Sequence, residues 1–367
     1  MSARTMMTTK PAASAADPFR NIRDTFAVVS DLLAPRRWIY WTDLLASAGL
    51  GWAALVAGAS GAFPSAAATA AFFVVATFAL YRAALFIHEL THLRSGAVPG
   101  FLAAWNVLVG VPLLLPSFLY VGVHLDHHRR TRYGTPLDPE YVPLARQGLL
   151  RQALFLVESL FVPAVLFLRF LLVTPLSFLH PRLRRFVVER LSGLVINPAF
   201  ARRLPAGRER AVWLVLECAC WAWSVALVAL VWTGALSLRA PLFGLLVATA
   251  VTVVNQVRTM AAHHFENESG AEMAVDEQLL DSVNVPGHPI LTELWAPVGL
   301  RYHGLHHYLP ALPYHALGTA HRRLVEKLPP DSPYRRTIAP SLVSVLRRLA
   351  RGGRGDAGRR SASPGRA

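Results

Sequence analysis

Residues 66–87 read AAATAAFFVVATFALYRAALFI and run directly into His88-Glu89-Leu90-Thr91-His92. An apolar stretch of this length matches the roughly 20 helical residues that cross a bilayer. It ends on two histidines four positions apart, which share one helix face at about 6 Å of rise. A membrane span that delivers paired imidazoles to its end is the element that decides the fold. Working outward, seven more histidines sit beside apolar segments: His124, His127 and His128, then His263, then His303, His306 and His307. Imidazole is the commonest metal ligand, and nine can hold more than one ion.

The composition agrees with a membrane protein. Of 367 residues, 53% are hydrophobic and 16% charged, against about 25% charged in soluble domains. The mean hydropathy is +0.37. The net charge of +15 is carried almost entirely by Arg, with Lys only at Lys10 and Lys327. That bias points to a GC-rich genome and a bacterium. The positive charge is assigned to membrane topology and lipid rather than to nucleic acid. Cys218 and Cys220 lie inside an apolar run and make no disulfide framework. Residues 1–35 carry no early apolar stretch and no signal-peptide pattern; they are expected to be a flexible segment.

Four stretches are long and apolar enough to cross a bilayer: 44–62, 66–87, 211–233 and 239–257. The connections Ser60–Pro64 and Thr233–Ser237 are short and almost uncharged, so each pair reads as a helical hairpin. The opposite flanks are basic: Arg36 and Arg37 precede the first span, and 180–210 holds eight Arg against Glu189 and Glu209. The positive-inside rule puts these flanks in the cytoplasm, with Trp38, Tyr40 and Trp41 at the interface. Runs 101–121 and 150–179 are expected not to be ordinary crossings. A crossing at 101–121 separates His92 from His124 across the membrane, and Pro112 and Pro116 break that run. Run 150–179 carries Glu158 and Arg169 and must return to a basic loop. The expected architecture is an all-α integral membrane protein. It has four spans in two hairpins, interfacial or re-entrant helices, and a cytoplasmic cap rich in histidine. Its membrane domain covers 36–325, and a disordered basic tail covers 347–367.

His124, His127 and His128 share a helix face as i, i+3 and i+4, as do His303, His306 and His307. Each ligating imidazole needs an acceptor for its other N–H; Glu89, Asp126, Asp138, Glu140, Asp281 and Glu293 are the candidates. Taken singly, each of these carboxylates also fits a surface charge or a helix cap, and each histidine box fits a structural pair. Three boxes on one side of the membrane do not.

These residues resemble the membrane fatty acid desaturase family with its hydroxylase and ketolase relatives. The likeness rests on three boxes, His88-Glu89-Leu90-Thr91-His92, His124-Leu125-Asp126-His127-His128 and His303-Gly304-Leu305-His306-His307. The stretches Gly134-Thr135-Pro136-Leu137-Asp138-Pro139-Glu140-Tyr141 and Pro297-Val298-Gly299-Leu300-Arg301-Tyr302 add to it. It covers roughly 40–325. The resemblance implies a di-iron centre of two Fe2+ ions. The boxes would supply eight ligands, and His263 a ninth, with His264 its competitor. Thr259 stands where acyl-CoA-type relatives carry Asn. The implied activity is an O2-dependent oxidoreductase that introduces a double bond into a fatty acyl chain, with hydroxylation or ketolation of a lipid as the alternative. Electrons would come from a separate donor, a ferredoxin or similar protein with its reductase. The implied location is the bacterial inner membrane, with the site on the cytoplasmic side.

Two rival classes remain. The first box spells HExxH, the zincin pattern with Glu89 as general base, but that reading leaves seven histidines without a role. A metal permease needs ligands near mid-membrane, where the spans carry no histidine. His288, in Pro286-Gly287-His288-Pro289, is not a haem-binding motif. His180 and His321 read as surface or interfacial residues. His315 follows the third box closely enough to line the site.

Overall fold

The computed structural model describes residues 25–63 and 65–361, with side chains through Arg354. All regular structure among them is helical; the extended segments make only isolated bridges. Four helices are long and apolar enough to span a membrane: α1 (Arg37–Ser60), α2 (Ala66–His92), α8 (Gly207–Trp232) and α9 (Arg239–Met260). Between them lie α3 (Phe101–Gly110), α4 (Val123–His127), α5 (Gly148–Glu158), α6 (Val162–Ser177) and α7 (Pro181–Arg190). After α9 come α10 (Val275–Asp281), α11 (His303–Tyr308), α12 (Tyr314–Lys327) and α13 (Leu342–Ser361).

The run 101–121 enters as a helix and turns back, as expected from its prolines. Asn106 closes the turn: its Nδ2 donates to Ser117 Oγ at 2.9 Å, and its Oδ1 accepts from Ser117 N at 2.9 Å. Indole N–H groups satisfy nearby carbonyls, Trp105 to Ala83 O and Trp52 to Leu108 O, each at 2.8 Å. Edge-to-face aromatic packing of Tyr40, Phe86, Phe101 and Tyr314 binds this loop to α1, α2 and α12.

The run 150–179 forms α5 and α6, bent by 51° at the break. A broken helix exposes carbonyls that lipid cannot satisfy. Here α9 supplies the donors: Thr252 Oγ1 to Ser159 O and Gln256 Nε2 to Phe155 O, both at 2.8 Å. Arg169 of α6 and Arg184 of α7 converge on Glu217 of α8, at 2.6 and 2.5 Å. The third span therefore packs on the bent pair and α7, while α9 packs on α1 and α2. Both arms of the second hairpin touch the bent pair, which stands between them.

Near the N-terminal end, Val29 is fully buried in a cluster that includes Leu305 and Leu317, and Asp31 pairs with Arg323 at 2.6 Å. Residues 1–24 lie outside the described chain. The last described element, α13, is helical from Leu342 to Ser361. Val345 and Leu349 bury its apolar stripe, each contributing about 1.5–3 kcal/mol. Gly352 and Gly353 allow the close approach. A Cβ on Gly352 meets Ala145 O at 2.7 Å, and one on Gly353 meets Gln152 Nε2 at 2.7 Å. Composition alone reads Arg-Gly-Gly as disorder; here the glycines are a packing surface. Residues 362–367 lie outside the description.

Candidate metal centre

The nine histidines converge at one end of the helical bundle in two groups. His88, His92, His124, His128 and His306 form one; His127, His263, His303 and His307 form the other. Within each group, the candidate ligand atoms lie within 4.8 Å of one another. The end of α2 supplies His88 and His92, α4 and its C-cap supply the second box, and α11 supplies the third. The second and third boxes each split between the groups, because a helix aims i and i+4 one way and i+3 another.

Box 3 is placed by an extended segment. Asn284, fully buried, accepts from Leu305 N through Oδ1 at 2.9 Å and donates to Thr337 Oγ1 at 2.7 Å. Gly304 is required beneath it: a Cβ there meets Asn284 Nδ2 at 2.9 Å and Ser282 O at 3.1 Å.

Three of the outer nitrogens have partners. His127 Nδ1 lies 2.9 Å from both oxygens of Asp138. Asp138 also accepts from the backbone N–H groups of Gly134 and Glu140, at 2.9 and 2.8 Å. The Gly134–Tyr141 stretch is thus a loop that curls around one carboxylate. His124 Nδ1 faces Glu140 Oε1 at 2.9 Å, and Tyr120 donates to Glu140 Oε2 at 3.2 Å. His263 Nδ1 lies 2.8 Å from Tyr133 Oη, which donates to Asp281 Oδ2 at 2.7 Å. Each partner holds a proton on Nδ1 and leaves the Nε2 lone pair facing inward.

Those inner nitrogens crowd together. Nε2 of His128 lies 3.0 Å from that of His124 and 3.2 Å from that of His306; Nε2 of His303 lies 3.0 Å from that of His263 and 3.1 Å from that of His307. Two bare lone pairs at 3 Å repel. Metal–imidazole bonds of roughly 2.1 Å at right angles set two donors about 3.0 Å apart. His88 is buried with neither ring nitrogen hydrogen-bonded, and Nδ1 of His303 also lacks a partner. The donor set therefore fits two cations.

The electrostatics point the same way. Burial first, then neighbouring imidazoles, holds His124, His128, His306 and His307 well below the ordinary histidine range. For His263 and His303 the charge of Arg258 adds to burial. Both influences favour the neutral imidazole, the form that binds metal. His127 differs. Burial lowers its pKa, but Asp138, Glu140 and Asp281 outweigh burial and raise it. What favours a proton on Nε2 favours a metal ion there equally. Burial pushes Glu140 up to about 7, against the charge of His127, and Asp281 up to about 6, against hydrogen bonds from Tyr133 and Tyr141.

His264 is not in either group; its Nε2 lies 3.1 Å from Arg348 Nη1. His315 does not line the site: it accepts from Arg36 N at 3.0 Å. His180 is exposed and caps α7. His321 is not a surface residue; it is buried, with Nδ1 2.7 Å from Tyr334 Oη. Three of the six candidate carboxylates sit behind imidazoles. Asp126 instead pairs with Arg129 and Arg132, and Glu293 with Arg82 and Arg301. Glu89 accepts from Tyr40 and from Tyr314 N, which ties α2 to α1 and α12. Tyr120, Tyr133 and Asn284 were not singled out from the sequence. Tyr120 lies four residues before His124 on the same turn, a spacing that signals it; the other two are contributed across long separations.

A cavity of about 220 Å³ opens beside His88, lined mainly by apolar side chains of α2, the bent pair and α9.

The chain matches the family described as "Fatty acid desaturase" over residues 64–339. It is 47% identical over 329 residues to a protein named ceramide hydroxylase from Caulobacter vibrioides (strain NA1000 / CB15N), covering 90% of this chain and 93% of the relative. A membrane-embedded oxidoreductase of lipid metabolism accounts for the spans, the histidine groups and the apolar cavity together. This chain belongs to the fatty acid desaturase family.

Proposed function

We propose that this protein hydroxylates an acyl lipid of the ceramide class, using O2 and two electrons from a separate donor protein. The observation that carries the reading is His88, which belongs to the five-histidine group and also lines the apolar cavity. A chain lying in that cavity passes directly beside the metal-binding face. The nine histidines are its ligands, with His263 rather than His264 as the ninth. Two iron ions held there supply the O2 activation that oxidation of an unactivated C–H bond requires. The protein's own share is to fix the ligands through Asp138, Glu140 and Tyr133, to keep the imidazoles neutral, and to hold the substrate carbon against His88 in a dry cavity. In balance, a C–H bond, O2, two electrons and two protons give a C–OH group and water.

The relative's name favours oxygen insertion over the desaturation expected from the sequence around boxes 2 and 3. The histidine end faces the cytoplasm in this reading, where reduced electron carriers are found.

Expression in a bacterial host that makes ceramide, followed by mass spectrometry of its lipids, decides the reaction. A new ceramide carrying one additional oxygen, labelled when 18O2 is supplied, is the expected product. A product lacking two hydrogens supports desaturation. An unchanged lipid profile with the protein expressed and metal-loaded contradicts both.

A further inference from the structure

The cavity beside His88 is apolar over most of its wall, but the last turns of α9 line it with Asn255, Arg258 and Thr259. Arg258 is only 9% exposed. Among the described residues no carboxylate makes a direct ion pair with it; the Glu140 carboxylate and the Tyr81 hydroxyl on the same cavity wall are its nearest electrostatic partners. Its Nη2 donates to Thr259 Oγ1 at 3.0 Å, and its Nε–H is buried with no acceptor. One turn earlier, Asn255 Oδ1 is buried with no donor. Its neighbours Thr252 and Gln256 are already committed to carbonyls of the bent pair.

Burying the N–H of a charged group without an acceptor is costly, as is burying an unmatched acceptor. Intramembrane ionisable residues that face a cavity are functional candidates by default. Residues three apart on a helix share a face, about 5–6 Å apart at Cβ. The wall thus offers one unmatched N–H donor and one unmatched oxygen acceptor on one helix face.

We propose that Arg258 and Asn255 anchor the polar end of the substrate: Arg258 donates to the acyl carbonyl oxygen, and Asn255 Oδ1 accepts from a free hydroxyl of the same head group. The substrate class is a neutral lipid carrying both groups, with its acyl chain running on past His88. A lipid whose hydroxyls are blocked leaves Asn255 unmatched. This inference rests on the reading that the substrate occupies this cavity.

The test is equilibrium binding of a radiolabelled short-chain ceramide, of its O-methylated analogue and of diacylglycerol to the purified full-length, metal-loaded chain in detergent. Melting temperature and metal content of each variant serve as controls for folding. Arg258→Met should raise Kd for ceramide about ten-fold, the loss expected for a charge-assisted hydrogen bond; Arg258→Lys should recover part of it. Asn255→Leu should weaken ceramide binding several-fold and leave the O-methylated analogue unaffected. Wild-type binding by folded Arg258→Met, or equal weakening of both ceramides by Asn255→Leu, overturns the anchor. Diacylglycerol binding as tight as ceramide, and weakened by both substitutions, upholds the anchor and overturns the ceramide assignment instead.

Discussion

At the scale of single residues, the proposed metal binding is tested at the carboxylates behind the imidazoles. Asp138 is completely buried and bonded to His127, Gly134 N and Glu140 N. Asp138→Asn removes the charge that favours a cation on His127 and leaves a mismatched N–H facing backbone donors. Metal affinity should fall about 10–100-fold, read by chelator competition on the purified protein; unchanged affinity contradicts the role given to this loop. Gly304→Ala tests the placement of box 3. On an exposed helix the change favours helicity by about 1 kcal/mol, but here the new methyl collides with Asn284 and Ser282. The expected result is a folded protein with less bound metal; a variant with full metal content contradicts the steric argument. Much of the residue scale was legible. The histidine spacing announced itself, and Asp138, Glu140 and Asp281 were among the carboxylates named. Tyr133 and Asn284 were not, because they reach box residues across more than a hundred positions or through an extended segment that leaves no periodic mark.

At the scale of elements, length and hydropathy identified the four spans, and proline placement identified the re-entrant run. Sequence did not show how the second hairpin opens. Its arms are parted by an ion network that only the tertiary structure assembles, with Glu217 between Arg169 and Arg184. Glu217→Gln leaves Arg169 buried and unpaired, at a cost of about 3–5 kcal/mol. The thermal midpoint in detergent should drop clearly, and Arg169→Met combined with Glu217→Leu should recover much of it. A single variant that melts like the wild type excludes the network as the clamp. The packing of α13 is hidden for a related reason: Gly352 and Gly353 are uninformative as letters and become meaningful only against Ala145 and Gly148.

At the scale of the whole molecule, the fold is a device for bringing three helix ends to one surface. The parity argument required 101–121 to turn back, and the structure agrees: Asn106 and Ser117 close that turn, and His92 and His124 share one group. Orientation is the next expectation at this scale. With Cys218 and Cys220 replaced, a cysteine at Ser237 should react with a membrane-impermeant thiol reagent from outside the cell, and one at Ser269 should not; the reverse pattern inverts the topology. The central claim is that each of the two histidine groups holds one cation, and it is tested most directly by counting them. Elemental analysis of the purified protein should give two iron ions per chain, falling toward zero when His127 or His306 is replaced by Ala. A single zinc per chain with no iron, or full iron retention in both variants, contradicts the account.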